Sequence, residues 1–174
     1  MANNFYKLAL GGIFAIIVIG AYMAFTGYAN DVYPLDQSVG FLDRIVATSD
    51  PQTIIADINS IKANLPETGN PVWIFPTDST NFARIQADLD TMLISAEKIA
   101  AVPTDSAAYH TGMLDINSRA VLIQENIADA IPYMYVSFSN IIFSSIWIAA
   151  ILGIFAVLNK KKQKMQEYDV SQDV

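Results

Sequence analysis

The chain has 174 residues, of which 53% are hydrophobic and only 16% are charged. This composition, together with a positive mean hydropathy, is too apolar for an ordinary soluble domain of this length. The formal net charge of −7 and the lack of any cysteine argue against a nucleic-acid-binding surface and a disulfide framework.

Two uncharged segments contain the hydrophobic excess. No charged residue occurs between Leu8 and Asn30 or between Ala130 and Asn159. Each segment exceeds the roughly 20 apolar residues that a bilayer-spanning helix needs. We therefore expect an all-α membrane protein with transmembrane helices at residues 8–29 and 136–158. Although Gly27-Tyr28-Ala29 resembles a signal-peptidase site, we interpret the first helix as an uncleaved signal anchor.

Lysines indicate the orientation of the two helices, because cytoplasmic flanks of membrane helices collect basic residues. Lys7 precedes the first helix, and four lysines follow the second: Lys160, Lys161, Lys162 and Lys164. We expect a two-pass cell-membrane protein whose termini, residues 1–7 and 159–174, are cytoplasmic and whose residues 30–135 are extracytoplasmic. From Tyr28 to Ser137 there are 14 acidic and five basic residues, so anionic lipid and nucleic acid are poor partners for this domain.

The extracytoplasmic segment has a helical hydrophobic period, which predicts an antiparallel bundle of four helices. Asp50-Pro51 is typical of a helix start, Asp78-Ser79-Thr80 precedes a third helix, and residues 102–105 separate the third helix from a fourth. Pro132 is the expected kink before the second span. The predicted inward residues are Val39, Leu42, Ile45, Val46, Ile54, Ile55, Ile58, Ile61, Leu65, Phe82, Ile85, Leu89, Met92, Leu93, Ala96, Ile99, Met113, Ile116, Ala120, Ile123 and Ile127.

The pentapeptide Leu65–Gly69, LPETG, matches the recognition pattern of sortases. A sortase signal lies close to a C-terminal apolar stretch and basic tail, whereas a long amphipathic region separates this pentapeptide from both. We interpret it as the end of a helix, with Leu65 in the core and Pro66 and Gly69 in the exit turn.

Residues 71–76, PVWIFP, place four large apolar side chains between two prolines, where a solvent-exposed loop is normally polar. One interpretation is that these side chains fold back and close the end of the bundle. The other is that Trp73 and Phe75 form a docking strip for another subunit or for the bilayer surface.

Small residues recur at helical spacing in both predicted spans and allow close approach of helix backbones. In the first span they include Gly12, Gly20, Ala24 and Gly27, and in the second Ser145, Ala149, Gly153 and Ala156. These stripes either pack against each other or bind partner helices, and we predict the main partner contact at Gly153. Asn140 is costly to expose to lipid, so it should face protein.

Residues for catalysis are scarce. The chain has one histidine, His110, and no cysteine, so it cannot supply the several His or Cys ligands of an ordinary copper or zinc site. A nucleophilic triad and a phosphate-binding glycine loop are also missing from the sequence. We expect a chain that is not itself an enzyme and holds no cofactor.

The chain resembles the small helical accessory subunits of the ammonia monooxygenase of ammonia-oxidising archaea. The resemblance extends over most of the sequence and is strongest in NPVWIFPTDSTNFARIQADLD, residues 70–90, and DINSRAVLIQENIADAIPYMYVSFSN, residues 115–140. It implies that copper chemistry belongs to larger partner subunits and that this chain stabilises a trimeric membrane complex. It assigns no metal ligand to any residue here.

Two functions follow as alternatives. The first is a structural subunit that contacts other membrane proteins through its spans and residues 71–76. The second is an extracytoplasmic ligand sensor, because a helical domain between two spans is also the arrangement of chemoreceptor input modules. With 15 residues after Asn159, such a sensor would have to signal through a partner protein.

Overall fold

The computed structural model describes residues 2–172, without the side chains of residues 2–6, 8, 138, 139 and 165–172. Every regular element in this range is helical. The six α-helices are α1 (Ala2–Gly27), α2 (Tyr33–Ala47), α3 (Pro51–Asn64), α4 (Phe82–Ala100), α5 (Ala107–Tyr135) and α6 (Phe138–Gln172). A π-helical turn, Tyr28–Val32, separates α1 from α2, and a 3₁₀ turn, Asp78–Thr80, precedes α4.

Two helical stretches, Ala9–Ala47 and Ala107–Lys164, are long and apolar enough to cross a membrane. They contain most of α1 and α6, where the uncharged segments lie. None of the residues in the most apolar part of each stretch is fully buried within the protein. The expectation of an all-helical chain with two helices of membrane-spanning length is therefore confirmed.

The chain divides into two compact units. One, which we call the helix pair, consists of the residues up to Thr26 and from Phe138 onward. The other, the four-helix unit, extends from Gly27 to Ser137. In the four-helix unit, α2 packs against α3 and α5, and α4 packs against the same two helices.

A single core lies between these four helices, and it contains most of the residues that the hydrophobic period places inside. The completely buried large side chains are Leu35, Leu42, Ile45, Ile54, Ile58, Ile61, Ile85, Leu89, Met92, Ile116, Ile123 and Ile127. Val39, Ile55 and Leu93 are only partly buried and pack against this core. Val46 contradicts the expectation, since 37% of its surface is exposed. It follows Ile45 by one position and therefore lies about 100° away around the helix.

Side-chain caps fix where the helices begin. Both carboxylate oxygens of Asp50 accept bonds from the backbone N–H groups of Gln52 and Thr53 at the start of α3, as expected. Asn81 caps α4, and the cap of α5 is Ser106, one residue beyond the segment predicted to supply it.

The break that separates α5 from α6 lies at Val136, four residues beyond the predicted kink at Pro132. Pro132 remains inside the helix, and its carbonyl accepts the N–H of Val136, where the helix ends. Val136 leaves helical geometry, with φ −107° and ψ 41°, and α6 begins two residues later. The helix thus continues for three residues beyond the proline, because a proline removes its own N–H rather than its carbonyl.

Candidate partner-binding surfaces

Gly20 of α1 contacts Trp147 of α6 in the helix pair. A Cβ atom at position 20 would lie 2.7 Å from the indole nitrogen of Trp147. That nitrogen donates a hydrogen bond to the backbone oxygen of Ile16, at 3.0 Å. Position 20 follows Ile16 by one helical turn, so the missing side chain gives the indole access to this carbonyl. Gly20 was predicted as a partner-binding residue, and the space beside it is filled by the Trp147 side chain of the same chain.

An open apolar groove with a volume of about 380 Å³ lies in the helix pair. Its lining residues are Ala9, Gly12, Ala150, Gly153, Ile154, Val157 and Leu158. A Cβ atom at Gly12 or at Gly153 would meet no other atom within 4 Å. One glycine of each predicted stripe therefore borders a common space, and the two helices are not pressed together at these glycines.

The other predicted partner-binding residues of the helix pair lie mainly on its surface. Ala24, Ser145 and Ala149 are exposed, and Asn140 is half-buried. The Ser145 hydroxyl donates to the backbone oxygen of Ile141, at 2.8 Å. This bond satisfies the hydroxyl within its own helix, so Ser145 needs no partner for its polar group.

Residues 71–76, the predicted docking strip, belong to the four-helix unit. Only Val72 of its four large apolar side chains is buried, whereas Trp73 is 43%, Ile74 48% and Phe75 85% exposed. The Trp73 indole donates a hydrogen bond to the backbone oxygen of Val136, at 2.7 Å. The interpretation that all four fold back into the core is therefore wrong for Trp73, Ile74 and Phe75.

Asn70 holds the two ends of this strip together. Its side-chain nitrogen donates to the backbone oxygen of Thr77, at 2.7 Å. Its side-chain oxygen accepts from the backbone N–H of Val72 and from the Thr80 hydroxyl, both at 3.0 Å. The strip is therefore a closed loop on a polar base, which the composition of residues 71–76 alone did not reveal.

Phe75 has an unusual backbone conformation at the tip of this loop. Its φ of 128° lies in a region of backbone geometry that residues other than glycine rarely adopt. The loop thus keeps a strained residue whose ring is almost fully exposed.

Charged side chains link helices of the four-helix unit. The Arg44 guanidinium of α2 donates through two nitrogens to the carboxylate of Asp57 of α3, and Lys62 pairs with Asp90 across α3 and α4. The bond with Asp57 raises the pKa of Arg44. Asp57 itself is only 1% exposed, so the pair supplies the charge partner that a buried carboxylate requires.

Two further polar residues of this unit are Asp50, which caps α3, and His110 of α5. The hydroxyl and backbone N–H of Thr53, with the N–H of Gln52, lower the pKa of Asp50. His110 is exposed and lies edge-on to the ring of Tyr109, with 5.9 Å between centroids. Within residues 2–172, no group of three or more His, Asp or Glu side chains has the geometry to hold a metal ion.

Sequence reasoning missed two residues that organise these surfaces. Trp147 lies in an apolar helix with no pattern around it, although an indole N–H in lipid needs an acceptor. Asn70 precedes a proline-bounded loop, and asparagine in such a position commonly bonds to nearby backbone. The hydrogen-bonding preferences of tryptophan and asparagine were therefore the sequence signals by which these two residues could have been found.

Comparison with known proteins identifies no relative. The chain matches no protein-family model, no curated protein and no solved structure.

Proposed function

We propose that the chain is a non-catalytic structural subunit of a membrane complex. In this proposal α1 and α6 span the cell membrane, both termini are cytoplasmic, and the four-helix unit is an extracytoplasmic antiparallel bundle. The lysines beside the apolar segments and the acidic charge between them support this orientation.

The observation that carries the proposal is the apolar groove beside Gly12 and Gly153. Helices in lipid associate mainly through close packing at small residues, because lipid tails are as apolar as the side chains that they contact. A groove bordered by glycines of two helices allows a third helix to approach both of them. We therefore assign the groove to a transmembrane helix of a partner subunit, with the lipid bilayer covering the rest of the pair.

The resemblance of residues 70–90 and 115–140 to accessory subunits favours one particular complex, the archaeal ammonia monooxygenase. The role of the chain there would be to stabilise the assembly that oxidises ammonia. Copper would be bound by the partner subunits, and this chain would contribute no ligand.

Leucine substitutions at two glycines test the groove. Gly153→Leu and Gly12→Leu place a large side chain in it, and overpacking of this kind typically costs about 1 to 3 kcal/mol. That cost corresponds to about 5- to 150-fold weaker association. Insertion should be unaffected, because leucine is at least as favourable as glycine in a membrane helix.

Gly11→Leu is the matched control, because Gly11 precedes Gly12 by one residue, is exposed and does not line the groove. The readout is the set of proteins that co-purify from native membranes in mild detergent. Loss of partners with Gly12→Leu and Gly153→Leu, but not with Gly11→Leu, supports the proposal. A wild-type chain that purifies alone, and whose melting temperature a specific small molecule raises, would instead favour the sensor.

A further inference from the structure

The apolar tip of the loop between Asn70 and Thr77 does not contribute to the core of the four-helix unit. Ile74 and Phe75 together expose two large apolar side chains, and Phe75 does so from a strained backbone. The bonds of Asn70 to Thr77, Val72 and Thr80 hold the base of the loop, so the tip is presented rather than loose. Strain of this kind persists where the surrounding structure imposes it, and it is typical of binding elements.

The hydrogen bond of Trp73 fixes where this loop lies along the four-helix unit. Its acceptor is the backbone oxygen of Val136, which precedes the first residue of α6 by two positions. Because one residue spans at most about 3.6 Å, chain connectivity alone keeps Val136 within about 7 Å of the start of α6. If α6 crosses a membrane, Trp73 lies at the level where that helix leaves the bilayer.

Other exposed aromatic residues lie at the same end of the unit. Tyr133 and Tyr135 are in the last turn of α5 and are 37% and 51% exposed. Tyrosine and tryptophan concentrate at membrane interfaces, where the ring meets apolar surroundings and the polar atom meets water or headgroups. The surface around the loop therefore has the composition of an interfacial belt.

We propose that Ile74 and Phe75 insert into the outer interfacial layer of the bilayer, with Trp73 at headgroup level. This inference rests on the proposed membrane-spanning role of α6. Residues 65–81 contain no lysine or arginine, and their acidic residues are Glu67 and Asp78. The loop thus offers no basic side chain to anionic headgroups, and the lipid layer that we expect it to enter is zwitterionic. Two side chains at a loop tip are also far fewer than the roughly 20 residues per side of a stable protein interface.

Insertion gives the four-helix unit a third attachment to the membrane. Its other two attachments are the chain connections to α1 at Gly27 and to α6 at Ser137. The strained, exposed ring would therefore add an anchor that is distinct from the two chain connections.

Single-cysteine labelling tests this directly, because the wild-type chain contains no cysteine. Three full-length variants, Phe75→Cys, Thr104→Cys and Phe155→Cys, carry an environment-sensitive fluorophore in phosphatidylcholine nanodiscs. Thr104 is an exposed residue between α4 and α5, and Phe155 is an exposed residue of α6. Emission wavelength, quenching by nitroxide lipids and quenching by aqueous iodide are measured for each.

The expected result is blue-shifted emission and lipid quenching at positions 75 and 155, with iodide quenching only at position 104. Lipid quenching at 155 but not at 75 would overturn the inference and leave the proposed function standing. A label at position 75 that is shielded only when a partner protein is added would overturn the inference in the same way. Water-like emission at 155 would overturn both.

A label-free measurement guards against an effect of the fluorophore. Trp147→Phe leaves Trp73 as the sole tryptophan, because the chain has two. Brominated phosphatidylcholine should then quench Trp73, and adding Ile74→Ser and Phe75→Ser should remove most of this quenching. Since both side chains are exposed, the substituted protein should keep its fold, and circular dichroism confirms this. Equal quenching with and without the two serines would contradict insertion.

Discussion

Gly20 leaves the space in which the indole of Trp147 reaches the backbone oxygen of Ile16. Gly20→Ala should therefore displace the indole and break this hydrogen bond, because its Cβ atom would lie 2.7 Å from the indole nitrogen. The emission of Trp147, measured in a Trp73→Phe background, should shift when the bond is lost. Gly11→Ala is the control, since its Cβ atom meets nothing within 4 Å. Equal spectra for the two variants would show that the contact does not order the indole.

The ion pair between Arg44 and Asp57 should respond asymmetrically to substitution. Arg44→Met leaves a carboxylate that is 1% exposed without its charge partner, whereas Asp57→Asn leaves a guanidinium that is 57% exposed and can be hydrated. An unpaired buried charge is the costlier of the two. Urea unfolding should therefore give a lower free energy of unfolding for Arg44→Met than for Asp57→Asn. The reverse order would mean that Asp57 gains water when Arg44 is removed.

The cap at Asp50 predicts a pH dependence of stability. The bonds from Thr53 and Gln52 hold the pKa of Asp50 below its ordinary value of 3.8. Because the pKa is lower in the folded state, the carboxylate stabilises the fold above pH 3.8, and this contribution disappears as pH falls through the folded-state pKa. Asp50→Ala should thus lower the melting temperature at pH 7 more than at about pH 2.5. A pH-independent difference would mean that the cap does not titrate.

Alanine substitutions at two helical glycines should have opposite effects on the stability of the protein. In α2, a Cβ atom at Gly40 meets nothing within 4 Å, so Gly40→Ala should stabilise the protein by about 1 kcal/mol through helix propensity. In α5, a Cβ atom at Gly112 would lie 2.3 Å from Cδ1 of Ile99. Overpacking there should outweigh the propensity gain and destabilise by about 1 to 2 kcal/mol. Chemical denaturation measures both, and a stabilising Gly112→Ala would show that Ile99 adopts another rotamer at little cost.

Phe75 offers a test of strain that is independent of any membrane. Phe75→Gly should raise the free energy of unfolding in detergent by about 1 kcal/mol, because glycine accepts a φ of 128° readily. Phe75→Ala is the control, since it removes the ring but keeps the Cβ atom that causes the strain. A gain with glycine and none with alanine assigns the effect to the backbone. Equal stability of the two variants would mean that the loop relaxes.

Hydrophobic period predicted the helices because each one has to bury a stripe of side chains. Ile54, Ile58 and Ile61 repeat at three or four residues, and all three are buried. The same spacing places Asp57 on this stripe, but it gave no sign of the arginine 13 residues earlier that pairs with the buried carboxylate. Long-range pairs of this kind depend on how helices pack, and a single sequence does not specify that packing.

The candidate surfaces were predictable to a smaller extent. Small residues indicated which faces of α1 and α6 allow close approach, but Gly20 and Gly153 had the same appearance in the sequence. One contacts Trp147 and the other borders an open groove, because a large side chain lies opposite only the first. For residues 71–76 the sequence allowed two interpretations, since apolar composition alone does not distinguish a core segment from a contact surface.

Because Leu65 is buried, cleavage of the LPETG segment would report local opening of the four-helix unit. Leu65 is 4% exposed, and its backbone oxygen accepts a hydrogen bond from the side chain of Gln86. Any enzyme that binds this pentapeptide in an extended form must first withdraw Leu65 from the core. When opening and closing are faster than cleavage, the cleavage rate measures the fraction of molecules that are open. The segment would then be cut slowly in the native chain and faster in variants that loosen the packing of α3 against α4.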